Sequence, residues 1–335
     1  IGRIVLHPTD SNTLWVAALG HLYSANKERG VYKTTDGGKT WKQVLFVNEN
    51  AGGIDLVVHP ENPMELYAAM WERTRRAWDF SESGKGSGIY KSADGGDTWQ
   101  LLGEEADNGF PTGEGVGRIG LCMHPSGSLY ALLDNQFRRE KTKEELIEEE
   151  ANKDKLKKED LRTMSKAAFL KLKEEKIAAY LSGNGFPKKY TAKKVLAMVK
   201  KDKIKPLALV EYLEDANKQL FDTPVIGAEV YKSEDGGKTW QKTHKDYLED
   251  LYYSYGYYFG QITVAAQNEN KIYIMGVPVL KSEDGGQTFT TINGDNVHVD
   301  HHALWANPNR LGHLINGNDG GVNISFDDGE SWVKC

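Results

Sequence analysis

Three segments of this 335-residue chain carry side chains suited to chemistry. The first is His298-Val299-Asp300-His301-His302. In an extended strand alternate side chains share a face, so His298, Asp300 and His302 would point to one side. Two imidazoles and a carboxylate form a ligand set for zinc or another transition metal, with Asp319 as a further carboxylate; a hydrogen-bonded polar cluster is the other reading. The second is Trp71-Glu72-Arg73-Thr74-Arg75-Arg76-Ala77-Trp78, in which Arg73 and Arg76 could grip a carboxylate and Trp71 and Trp78 could frame it, or in which the arginines are surface residues screened by nearby acids. The third holds Tyr247, Tyr252, Tyr253, Tyr255, Tyr257, Tyr258 and Phe259, with six of the chain's 16 tyrosines. Tyrosine joins an apolar face to a polar tip and suits stacking on sugars or gripping peptide side chains; the same rings could instead pack beneath a neighbouring segment. From these segments the candidate ligand-binding residues are Trp71, Arg73, Arg76, Trp78, Tyr253, Tyr255, Tyr257, Asp300 and His302. Glycoside hydrolysis would need two carboxylates at a defined separation. Glu72, Glu114, Glu249, Asp250, Asp295 and Asp300 are the candidates, and no serine or cysteine nucleophile elbow is visible.

These segments must be held by a scaffold, and the chain shows it as a repeat. VYKTTDGGKTW (31–41), IYKSADGGDTW (89–99), VYKSEDGGKTW (230–240), VLKSEDGGQTF (279–289) and VNISFDDGESW (322–332) share Ser/Thr-x-Asp-x-Gly-x-Thr/Ser-aromatic. The aspartates are Asp36, Asp94, Asp235, Asp284 and Asp327. An aspartate in such a turn accepts backbone N–H groups nearby, and glycine supplies positive φ. Five equivalent aspartates read as structure, not catalysis. An alternating apolar run precedes each copy, as in RIVLHP, IDLVVHP and RIGLCMHP, and a second run follows it. Each unit therefore reads strand A, turn, strand B, loop, strand C, Asp-Gly turn, strand D. Four short strands repeated every 40–60 residues predict an all-β fold, a β-propeller. His7, His59 and His124 precede prolines or a turn at equivalent places and read as structural.

The repeat is similar to the Asp-box, or bacterial neuraminidase repeat, of sialidases, xyloglucanases and sortilin-type propellers. With IGRIVLHPTD, WERTRRAWDF, NGFPTGEGVGRIG and HVDHHALWANP, the chain resembles exported bacteroidete proteins grouped as glycosyl hydrolases or sortilin-type propellers. The resemblance implies five Asp-box blades belonging to a larger ring, further blades of a longer chain as partners, and an extracytoplasmic location. Xyloglucanases place their acids between two propellers; sialidases hold a carboxylate with a spaced arginine triad that the clustered arginines here do not match. Fold likeness of this kind does not fix an activity.

The second and third aspartates are 141 positions apart, and 136–222 account for the excess. Glycine becomes scarce there, and 22 Lys/Arg face 16 Asp/Glu, whereas the rest of the chain is acidic and the whole carries −6. Leu161, Met164, Ala168 and Leu172 recur at helical spacing; Thr191 is a candidate N-cap and Pro206 opens a further helix with Leu209, Leu213, Ala216 and Leu220. The expectation is a three-helix insertion behind a charged leader at 138–160. The chain then divides into 1–135 (blades one, two and the start of three), 136–222 (insertion) and 223–335 (the remainder). The insertion is either a decorated, solvated loop or a docking surface for a protein partner.

No apolar run approaches the ~18 residues of a membrane span. Mixed charge without an aromatic platform argues against nucleic acid. Two cysteines, Cys122 and Cys335, exclude a disulfide scaffold. In a propeller, the A–B and C–D turns emerge on one face and the B–C and D–A loops on the other. The long segments 20–30, 71–88, 103–117, 244–260 and 293–302 and the insertion all fall on the second face, where binding is expected. The expected function is a propeller that binds a polypeptide or glycan there, possessing no obligatory cofactor beyond the candidate metal; the alternative is a glycoside hydrolase with paired carboxylates near the channel mouth.

Overall fold

Strand-forming runs and Asp-Gly turns alternate along the chain, and in the computed structural model each group of four closes into one antiparallel sheet. The structure describes residues 1–76, 79–104, 107–140, 143, 146–147, 150, 155–211, 225–252 and 256–335. Blade one contains β1 (Arg3–Leu6), β2 (Leu14–Ala18), β3 (Gly30–Thr34) and β4 (Lys42–Leu45). Blade two contains β5 (Ala51–Val58), β6 (Leu66–Glu72), β9 (Gly88–Ser92) and β10 (Gln100–Leu101), and the hairpin β7 (Thr74–Arg76) and β8 (Asp79–Ser81) projects from its B–C connection. Blade three is β11 (Val116–Met123), β12 (Leu129–Arg138), β13 (Val225–Ser233) and β14 (Gln241–Lys242). Blade four is β15 (Gln261–Ala265), β16 (Asn268–Met275), β17 (Val279–Ser282) and β18 (Thr290–Thr291). Blade five is β19 (His301–Ala306), β20 (Leu314–Asn318), β21 (Gly321–Ser325) and β22 (Val333–Lys334). These are β-propeller blades, and their A strands β1, β5, β11, β15 and β19 touch one another in chain order.

The cores lie between successive blades. Trp15, Leu56, Leu66 and Met70 fill the space between blades one and two, and Tyr67, Trp71, Ile119, Leu133 and Trp240 that between two and three. Each interface removes several large apolar side chains from water, at about 1.5–3 kcal/mol apiece. Glycine allows the closest approach: a β-carbon on Gly120 of β11 would overlap the carbonyl oxygen of Gly260, which leads into β15.

The repeated turn is built alike five times. In blade two, Ser92 Oγ donates to Asp94 Oδ1 (2.7 Å) and accepts from Gly96 N (2.8 Å). Asp94 in turn accepts from Thr98 N (2.9 Å) and Thr98 Oγ1 (2.6 Å). Asp36, Asp235, Asp284 and Asp327 accept from the same two positions. The amide bonded in all five turns lies four residues on, and Asp94 also accepts from Asp97 N, three residues on (3.0 Å). These bonds hold Asp36, Asp284 and Asp327 at a pKa of about 2, and Asp94 and Asp235 below the usual range. The turns also join blades, since Gly95 and Gly286 carbonyls accept from Trp15 Nε1 and Thr243 Oγ1 of the preceding blades. In the fifth turn Asp328 occupies the positive-φ position (67°) held elsewhere by glycine, and Lys271, Tyr273 and Lys281 of blade four converge on its carboxylate.

The chain separates into two compact units, Ile1–Arg139 with Val225–Cys335, and Glu140–Pro224. The second holds, among its described residues, α1 (Lys158–Thr163), α2 (Lys166–Phe169), α3 (Glu174–Gly183), α4 (Ala192–Lys200) and α5 (Ala208–Glu211) around Leu161, Phe169, Ile177, Val195 and Val199. The run from Leu161 to Leu172 is thus two short helices and a turn, not one helix, because Ser165 caps α2 and the next helix starts only after Lys173. Thr191 does cap α4, its Oγ1 accepting from Lys194 N (3.3 Å). Leu213, Ala216 and Leu220 lie outside the described residues. No helix among the described residues is long and apolar enough to cross a membrane.

Candidate functional site

Three of the long B–C and D–A segments meet. Phe80 of β8 packs edge-on against Tyr257 (4.8 Å), and Phe259 stacks on His302 (5.5 Å), linking 71–88, 244–260 and 293–302. Arg118 of β11 donates Nη1 to the carbonyls of Tyr257 (3.0 Å) and Tyr258 (2.9 Å). Glu72 fixes the return of the 71–88 segment: its Oε2 accepts from Gly86 N (2.6 Å) and its own N donates to Ser87 Oγ (2.8 Å). Gly84 N donates to Val116 O of blade three (3.2 Å). Trp71 Nε1 donates to the Glu82 carbonyl (2.6 Å), so the residue that Glu72 positions indirectly is Glu82.

Around Trp71 gathers a group of buried charges. Arg73 Cζ stands 5.1 Å and Arg118 Cζ 5.9 Å from the Trp71 ring centre. Glu82 (9% exposed) and Asp134 of β12 (2%) lie buried there. Burial raises the pKa of both carboxyls, and the Asp134 charge raises Glu82 further, while Gln136 Nε2 (2.8 Å from Oδ1) and Arg118 pull Asp134 back down. Tyr252, which ends helix α6 (Glu249–Tyr252), is 3% exposed; burial first, then the Asp134 charge, hold its phenol well above its ordinary pKa. Burial lowers Arg73 to about 10, helped by repulsion from Arg29, Arg118 and Arg75. Arg73 Nε, Glu82 Oε2, Arg118 Nε, Asp134 Oδ2 and Tyr252 Oη are buried without hydrogen-bond partners. Such atoms ordinarily cost about 1–3 kcal/mol each, so five in one place mark a site shaped for something other than stability.

The four arginines differ in what occupies them. Arg29 spends its fork on the carbonyls of Asn50, His21 and Ser24, and Arg118 on those of Tyr257 and Tyr258. Arg73, 6% exposed, makes no hydrogen bond or ion pair through its side chain among the described residues. Arg75 lies over Phe80 (5.2 Å) and Tyr257 (5.9 Å).

The sequence-predicted residues fare unequally. Trp71 and Arg73 belong to this group but are buried, which for Arg73 corrects the expectation of a surface arginine screened by acids: among the described residues no acid pairs with it. Arg76 is exposed at the hairpin tip, and Tyr257 is half-buried beside Phe80. Trp78, Tyr253 and Tyr255 lie outside the described residues. Asp300 breaks the strand alternation on which the metal reading rested, since its φ is 66° and β19 starts at His301. His298 Nδ1 donates to Val299 O (2.8 Å), and His302 Nε2 faces Asp319 Oδ1 (3.0 Å) at the surface. His301 is the buried one; desolvation lowers it to about 4 and Asn316 holds its Nδ1 at 2.8 Å. Among the described residues no three His, Cys, Asp or Glu side chains are placed to hold a metal ion. Of the candidate acids, Glu114 is exposed beside Lys85 (3.3 Å), and Glu72 Oε2 is occupied by Gly86 N and Asn48 Nδ2. His7 and His59 accept from amides two or three residues on, as structural turn residues do, and His124 accepts from Ser126 N.

Glu82 and Asp134 are the residues that sequence reasoning missed. Asp134 did leave a signal, as an acid inside the apolar strand LYALLDNQF. Glu82 left none, because SESGKGSG reads as an ordinary solvated loop.

No family profile and no curated protein matches this chain. Solved structures do. An ancestral GH74 enzyme is 14% identical over 100% of this chain and 31% of its own, with a TM-score of 0.49. The GH74 xyloglucanase from Xanthomonas campestris is 12% identical over 97% of this chain and 36% of its own, with a TM-score of 0.49. YCF48 bound to D1 peptide is 11% identical over 99% and 83%, with a TM-score of 0.36. The chain therefore spans about a third of the length of the GH74 structures it resembles.

Proposed function

We propose that the loop-rich face of this propeller binds a polypeptide or glycan through an anionic group received by Arg73. The observation that carries this reading is a buried guanidinium with no hydrogen-bond or ion-pair partner among the described residues, set on Trp71 and surrounded by Arg29, Arg75 and Arg118. A carboxylate or sulfate on the ligand would relieve that repulsion and satisfy the Arg73 fork in a dry setting, where charge-assisted bonds are strongest. Tyr258 (52% exposed), Phe80 and Arg75 extend the surface outward for apolar and planar groups. Binding of carboxylated oligosaccharides and acidic peptides, each beside its neutral counterpart, tests the reading by calorimetry. Arg73→Met should weaken the anionic ligand about 10–100-fold, the worth of one hydrogen-bonded charge, and Arg76→Met should change it little. Equal binding of charged and neutral ligands would defeat the proposal.

A second reading, glycoside hydrolysis, draws support from the raised pKa of Glu82 beside Asp134, because one carboxyl kept protonated next to another that ionises first is an acid–base arrangement. Hydrolysis lost in both Glu82→Gln and Asp134→Asn, with ligand binding retained, would decide for it.

A further inference from the structure

The helical unit carries a second opening that the propeller face does not use. Between the end of α3 and the start of α5 lies a cavity of about 190 Å³ lined by Phe186, Tyr190, Val195, Met198, Ile204, Ala208 and Leu209. Its wall is apolar, and most of these side chains are only half-buried, so the cavity opens outward. Small-molecule sites run to roughly 300–1,000 Å³, so this one is too small for a cofactor or sugar chain and is the size of a single bulky side chain.

The segment that supplies most of this lining is rich in lysine. Residues 188–205 include eight lysines, all exposed, against one acid, Asp202. That acid is already committed, with Lys166 Nζ 2.6 Å from its Oδ2. Lys189 and Lys194 hold their ammonium groups 5.2 and 5.8 Å from the ring centre of Tyr190, which itself lines the cavity. Positive charge therefore stands at the mouth of the apolar hole. A nucleic acid would use the lysines but has no use for an apolar socket of this size, whereas an acidic segment bearing one apolar anchor uses both.

We infer that this cavity is a docking site for an acidic peptide segment of a partner protein, which inserts one leucine, phenylalanine or tryptophan side chain while its carboxylates face the lysines. The anchor supplies affinity by leaving water, and the charges supply orientation and rate. This inference is independent of the Arg73 reading, because it concerns other residues in the other compact unit.

The test uses the full chain and fluorescence anisotropy with short glutamate-rich peptides carrying a central leucine, phenylalanine or tryptophan. Controls are the same peptides with alanine as anchor, lysine-rich peptides with the same anchors, and a single-stranded oligonucleotide. At least one anchored acidic peptide should bind, more than tenfold tighter than its alanine control, and more weakly as salt rises. Ala208→Phe, which fills the cavity without touching its charge, should lose the anchor preference while keeping the weak charge-driven binding. Lys193→Glu with Lys194→Glu should weaken the peptide with the cavity intact. Circular dichroism checks that each variant keeps its helices. Binding of no anchored peptide, binding independent of the anchor, an anchor preference that survives Ala208→Phe, or preference for the oligonucleotide would each overturn the inference.

Discussion

Gly256 backs directly onto the Asp134 carboxylate, so closely that a β-carbon at 256 would overlap it. Two distant segments, the 244–260 connection and strand β12, therefore meet with no side chain between them. Gly256→Ala should push the carboxylate from its place or the 256 segment from its seat. The expected result is a loss of stability of about 1–3 kcal/mol by chemical denaturation, with a loss of anionic-ligand binding larger than global destabilisation explains. Wild-type stability with unchanged binding would show that the contact is slack.

The buried carboxyls predict a pH dependence of definite sign. Glu82 and Asp134 have raised values in the folded chain, so the native state holds their protons more tightly than the unfolded state. Their contribution to stability is complete below about pH 4 and falls as pH rises toward the folded values. Thermal midpoints should drop from weakly acidic pH through neutrality to about pH 9, and Glu82→Gln should flatten that limb. A slope unchanged by the substitution would remove Glu82 as its source.

The turn aspartates predict the opposite limb. Asp36, Asp284 and Asp327 titrate at about 2 because hydroxyl and amide donors favour their charged form. Their stabilisation is present above about pH 4 and is lost as pH falls toward the folded values. Asp284→Asn should lower the midpoint at neutral pH and shallow the acid limb, measured by thermal unfolding at descending pH. His301, lowered to about 4 by burial, adds to the same limb, since it resists protonation until the blade loosens.

Trp240 follows the third repeated turn, is 4% exposed, and packs 5.2 Å from Phe110. Trp240→Ala should cost about 3–5 kcal/mol, the range for a large aromatic lost from a packed core. Trp41, in the same motif position but 44% exposed, should tolerate alanine far better. Equal costs would mean that the motif, rather than its surroundings, sets the value.

Cys122 and Cys335 should react differently. Burial pushes the Cys122 thiol up to about 11, whereas Cys335 is exposed. A maleimide at neutral pH should label Cys335 alone until denaturant is added, as read by mass of the labelled peptides.

The sequence by itself determined the repeat and nearly everything that follows from local chemistry. Asp94, Ser92, Gly96 and Thr98 find one another within seven residues, so the turn is written in the order of its residues, and so is the four-strand sheet around it. The Thr191 cap is legible for the same reason. The candidate site is not local. Trp71, Glu82, Arg118, Asp134 and Tyr252 come from strands and loops up to 181 residues apart, and only the packing of blade two against blade three and the 244–260 segment brings them together. The same packing buried Arg73 while leaving Arg76 exposed, and backbone conformation at Asp300 undid the alternation that grouped the histidines. Periodicity fixes which face of a strand a residue occupies; what that face meets depends on which blade packs there, and burial, hence the charge state of Glu82 and Asp134, is decided by that contact.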